Sequence, residues 1–114
     1  MEYVEELLRR LALNDENTVR AVLGSDAEGG RAPRTEYLDA KSRALVRLGA
    51  LLAVGAETTS LRWMSELAYE AGATDEELVG VLIAVGPAAG LARVVREAPR
   101  LALAMGYDIE DDSN

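Results

Sequence analysis

The sequence predicts an all-α fold, a compact bundle of about six helices, on three observations. Apolar residues recur at three- and four-residue spacing along most of the chain, and no stretch alternates polar and apolar residues long enough to build a sheet. The stripes are separated by residues that start and stop helices, with Asp39 and Thr74 as N-caps and Gly24, Gly55, Gly72 and Gly106 as stops. Phe is absent, and Ala, Leu, Val and Glu dominate the composition.

A first helix is expected from about Glu2 to Leu13, with Val4, Leu7, Leu8 and Leu11 forming one apolar stripe. Asn14 or Asp15 caps a short second helix near Glu16 to Leu23, which turns Val19, Val22 and Leu23 inward and ends at Gly24. Residues 25–37 mix Gly29, Gly30 and Pro33 with charges and read as a linker between the N-terminal helical pair, 1–24, and a main unit, 38–106. Asp39 caps a third helix that runs to about Val54 and stops at Gly55. A fourth occupies about Thr58 to Ala71, with Leu61, Met64, Leu67 and Ala68 on one face.

Thr74-Asp75-Glu76-Glu77 is a capping box: the Thr74 hydroxyl and Glu77 carboxylate each take one of the other's orphan amides. The fifth helix that starts there is apolar almost all round, so burial on more than one side is expected and a second chain is its simplest cover. Pro87 is expected to bend or break it, and a last helix runs from about Ala88 to Met105, perturbed near Pro99 and ended by Gly106. Small residues at helical spacing, Gly49 with Ala53, Gly86 with Gly90 and Ala84 with Ala88, indicate close helix packing or a subunit contact.

Composition removes whole classes of chemistry. The 114 residues contain no Cys and no His, which excludes disulfides, thiol redox chemistry, Cys/His metal sites and nucleophiles activated by histidine. No cofactor is expected and no Asp-x-Asp loop suggests a hard metal. The net charge of −8 and the lack of a basic stripe argue against nucleic acid and against an anionic membrane as partners. The longest uncharged run, Leu78 to Ala92, is 15 residues, short of the about 20 that span a bilayer. Residues 38–106 are close to neutral, seven basic against eight acidic, whereas 107–114 hold four acids and read as a solvated tail. The opening Met-Glu-Tyr-Val-Glu-Glu has the wrong sign for a signal peptide, so a cytoplasmic location is expected.

The stretch from Leu38 to Gly55, followed by Leu61 to Leu82, resembles the carboxymuconolactone decarboxylase family, which includes the alkylhydroperoxidase D-like proteins. The resemblance covers about residues 38–104, and its most specific element is Glu70-Ala-Gly-Ala-Thr-Asp-Glu-Glu-Leu78. It implies a compact all-helical subunit that assembles as a homo-oligomer, a trimer or hexamer. The peroxidase branch carries a Cys-x-x-Cys, a histidine four residues on, and a glutamate in the preceding helix. The corresponding positions here are Ala56 or Glu57, Ser60 and Met64, with Ala44 in the place of the glutamate, so the redox relay is missing. Met64 in the histidine position removes the familiar decarboxylase chemistry as well.

The groups left near such a site are Glu57, Ser60, Arg62, Trp63, Glu66 and Tyr69, with Arg47 and Arg93 from neighbouring helices. One reading makes Glu57 or Glu66 a catalytic base and has Arg62 or Arg93 hold a substrate anion beside Trp63 and Met64, in a decarboxylase or isomerase acting on a small carboxylate or lactone. The plainer reading gives Glu57 a helix-dipole role, pairs Arg62 with Glu66 and Arg93 with Glu97 at i, i+4, and makes Trp63 a core or interface anchor. The leading functional expectation is an oligomeric binding or scaffold module, or a pocket for a small apolar ligand. A further expectation treats the N-terminal pair as an arm that docks on a neighbouring subunit.

Overall fold

The computed structural model describes residues 2–24 and 37–108. The described residues form six helices: α1 (Glu2–Ala12), α2 (Glu16–Gly24), α3 (Ala40–Val54), α4 (Thr58–Glu70), α5 (Asp75–Ala89) and α6 (Leu91–Met105). The described residues hold no strand, so the chain is all-α. The chain divides into two units, Met1–Leu38 and Asp39–Asn114. The expected linker, apart from Tyr37, and the tail beyond Asp108 lie outside the described residues.

In the first unit α1 and α2 form a short pair. Asp15 caps α2, its Oδ2 accepting from the Thr18 amide at 3.0 Å and the Thr18 hydroxyl at 2.8 Å. These two bonds hold the Asp15 carboxyl below its usual range. The preceding Asn14 takes a positive φ of 61°, which a short polar side chain tolerates. The α1 stripe is left largely open, with Leu8 62 % exposed.

The second unit is a four-helix bundle. Helices α4 and α5 each pack against both α3 and α6, so the order around the bundle is α3, α4, α6, α5. Leu48, Leu52, Leu61, Leu78 and Leu101 are fully buried at its centre, joined by Ala44, Met64, Ala68, Leu82 and Ala104. Burial of each such leucine stabilises the fold by about 1.5–3 kcal/mol. Asp39 caps α3 through the Ser42 amide at 2.7 Å, and both halves of the Thr74–Glu77 capping box form at the start of α5. Two of the small residues serve packing within the chain. A Cβ on Gly49 would press on Val81 and Val85 of α5, and one on Gly86 would press on Val94 of α6.

Pro87 does not break its helix. Helix α5 continues through Pro87 to Ala89, and α6 runs unbroken through Pro99. Pro87 and Pro99 lie on exposed sides of their helices, as do Ile83 and Val95, whose carbonyls lose a donor, so water can take the freed groups. The break comes instead at Gly90, whose φ of 99° and ψ of 156° lie outside the range open to a residue with a Cβ. Helix α6 therefore begins three residues later than the sequence suggested.

Candidate functional site

The corner between α3 and α4 gathers three charged side chains of α6, Arg93, Glu97 and Arg100. Helix α3 ends at Gly55 in the left-handed conformation, and the Ala56 amide turns back to the Leu51 carbonyl at 3.0 Å. Two arginines of α6 reach this end. The Arg93 guanidinium lies directly over Gly55, so closely that a Cβ there would run into Nη1. Arg100 donates from Nη1 to the Ala56 carbonyl at 3.2 Å. Cations beside the C-terminal end of a helix meet its negative pole, which favours this arrangement.

Glu97 is shared by the two arginines and is fully buried. Its Oε2 lies 3.8 Å from Arg100 Nη1 and 4.0 Å from Arg93 Nη1, and neither carboxylate oxygen has a hydrogen-bond partner among the described residues. The two flanking arginines place positive charge beside the buried carboxyl group. The Arg93–Glu97 pair matches the i, i+4 spacing read from the sequence, whereas Arg100 and the full burial of Glu97 went unrecognised. A signal was present: Glu97 stands three residues after Val94 and four before Leu101, in the middle of the apolar stripe of α6.

The residues singled out from the sequence do not converge on one enclosed space. Glu57 is the N-cap of α4 but its side chain makes no capping bond, and it is exposed. Glu66 is exposed. Arg62 reaches the Leu103 carbonyl at 3.5 Å and forms no ion pair with Glu66. Trp63 is 58 % exposed and so is no core anchor. Met64 and Ala44 both belong to the buried apolar core. Arg93 joins the Glu97 cluster. A working carboxylic acid needs an apolar enclosure, and neither Glu57 nor Glu66 has one.

A second polar constellation sits at the other end of α5. The Asp75 carboxylate accepts from the Tyr69 hydroxyl at 2.6 Å and from the Tyr107 hydroxyl at 2.5 Å. Those bonds, Tyr107 first, hold the Asp75 carboxyl below its ordinary value. Both phenols are raised, Tyr107 chiefly by its bond to Asp75 and Tyr69 by burial and then by its own bond to Asp75. Beside them an open groove of about 590 Å³ is lined by Glu76, Val79, Gly80, Ile83 and Met105 as well as Asp75 and Tyr107.

No family model, curated protein or solved structure matches this chain. Among the described residues no group of three acidic side chains is arranged to hold a metal ion, and no helix is long and apolar enough to cross a membrane.

Proposed function

We propose that this chain is a carboxymuconolactone decarboxylase-like helical module that assembles with copies of itself, as a trimer or hexamer, and acts as a binding or scaffold module. Thiol and imidazole chemistry have no part in it. The observation that carries the reading is the outward face of α5. Ile83 is 67 % exposed and Leu91, the first residue of α6, is 76 % exposed, with Val79 beside them at 42 %. An apolar helix face of this kind gains by burial against another protein surface. The placement of Ala44 and Met64 among the core leucines supports the loss of the family chemistry, because apolar packing occupies their positions.

Sedimentation velocity across micromolar concentrations tests the assembly. A species several times the 12.2 kDa of one chain is the expected result, and a monomer at every concentration overturns it. Incubation with an organic hydroperoxide and a thiol reductant should give no turnover above a protein-free control. Turnover by pure protein would falsify the non-redox reading.

A further inference from the structure

We infer that the outward face of α5 packs against the same face of a second copy, antiparallel and about a two-fold axis, so that any larger assembly contains an even number of subunits. The inference rests on the self-assembly proposed above and specifies its geometry, favouring a hexamer over a trimer. Three features carry it.

The first is continuity. Gly80, Ile83, Ala84, Pro87, Ala88 and Leu91 follow one another around the exposed side of α5 and its exit, and none is polar. The second is shape. Ile83 projects from the face, and Gly80, one turn earlier, leaves open space where a Cβ would stand. An antiparallel two-fold sets Ile83 over the partner's Gly80 and repeats the contact in reverse, which is the self-complementarity an isologous interface requires.

The third feature is charge, and it fixes the direction. The face begins at the acidic first turn of α5, where Glu76 is exposed. It ends at the start of α6, where Gly90 offers no side-chain cap and Arg96, one turn on, is exposed. Antiparallel pairing brings Glu76 toward the partner's uncapped, positively polarised helix start. Parallel pairing sets acid against acid and arginine against arginine.

The absence of native cysteine makes single-cysteine variants of the full chain a clean probe. Under mild oxidation Ile83→Cys should link to itself as a disulfide dimer, and Glu76→Cys alone should not, since its two copies stand roughly 15 Å apart along the helices. A mixture of Glu76→Cys and Ala88→Cys chains should give the linked heterodimer. Ile83→Glu, on an exposed position that leaves the fold intact by circular dichroism, should weaken association by at least about tenfold, because it carries a charge into the apolar contact. An oligomer in which Ile83→Cys stays unlinked and Ile83→Glu changes nothing overturns the α5 interface but leaves self-assembly standing. Self-linking by Glu76→Cys overturns the antiparallel direction, and an odd-numbered assembly overturns the two-fold. A monomeric wild-type chain overturns both this inference and the reading beneath it.

Discussion

The Tyr107 hydroxyl donates to the Asp75 carboxylate at 2.5 Å and so joins residues 32 apart in the chain. With the Tyr69 hydroxyl on the other oxygen, one carboxylate ties the end of α4, the first turn of α5 and the segment leaving α6. The open groove, lined by residues of α5, Met105 and Tyr107, is thereby fixed at one end. Substituting Tyr107→Phe should lower the thermal midpoint, and Asp75→Asn should lower it further because it alters both bonds. Differential scanning calorimetry of the two variants at neutral pH checks the order.

The same contacts predict a pH profile. The Asp75 carboxyl is lowered by its tyrosine bonds, Glu77 by the Thr74 amide and then Lys41, and Asp39 by Ser42. A carboxyl lowered in the folded state stabilises fully above its unfolded value near 4 and loses that contribution as pH falls through the folded value. Raised phenols act in the opposite sense: Tyr69 and Tyr107 contribute below about pH 10 and lose it as pH climbs through their folded values. Thermal midpoints should therefore form a plateau between these limits. The Tyr69→Phe/Tyr107→Phe double variant should show a shallower fall at the acid edge, and an unchanged edge would refute the assignment to Asp75.

Glu97 should be intolerant of losing its partners. Arg100→Met removes one cation from a fully buried carboxylate and also frees the Ala56 carbonyl. Breaking such a buried pair costs about 3–5 kcal/mol, moderated here because Arg100 is itself partly exposed. Substituting Glu97 together with both arginines by apolar residues of similar size should be far milder than Arg100→Met. Urea unfolding of both variants measures the contrast.

Gly55 faces two constraints at once. Its φ of 81° disfavours any side chain, and a Cβ collides with the Arg93 guanidinium. Gly55→Ala should cost more than the about 1 kcal/mol of a left-handed alanine alone. In an Arg93→Ala background the penalty should shrink toward that value, and additive penalties would show that the two groups do not meet.

The capping box gives a local test. Thr74→Ala removes the acceptor for the Glu77 amide at 3.1 Å and should destabilise the bundle by about 1 kcal/mol. Thr74→Ser should restore most of it, as read from the urea midpoint.

Local signals determined most of the helical layout. Asp39 and Gly55 bound α3 where their chemistry places them, and Thr74 with Glu77 starts α5, because caps and stops act through bonds within three or four residues. Periodicity likewise placed Leu61, Met64 and Ala68 on the face of α4 that enters the core. Composition alone removed thiol and imidazole chemistry. What tertiary structure decided is where distant groups meet. Pro87 and Pro99 stay inside helices because their faces turn outward to water, and Gly90 carries the break instead. Trp63 lies open whereas Glu97 is enclosed between two arginines at the α3–α4 corner, the reverse of what residue type suggests. The bonds from Tyr69 and Tyr107 to Asp75 join three segments at once. Spacing along one helix reports which side chains share its face. Which neighbour that face meets, or whether it meets any, depends on how the four helices pack.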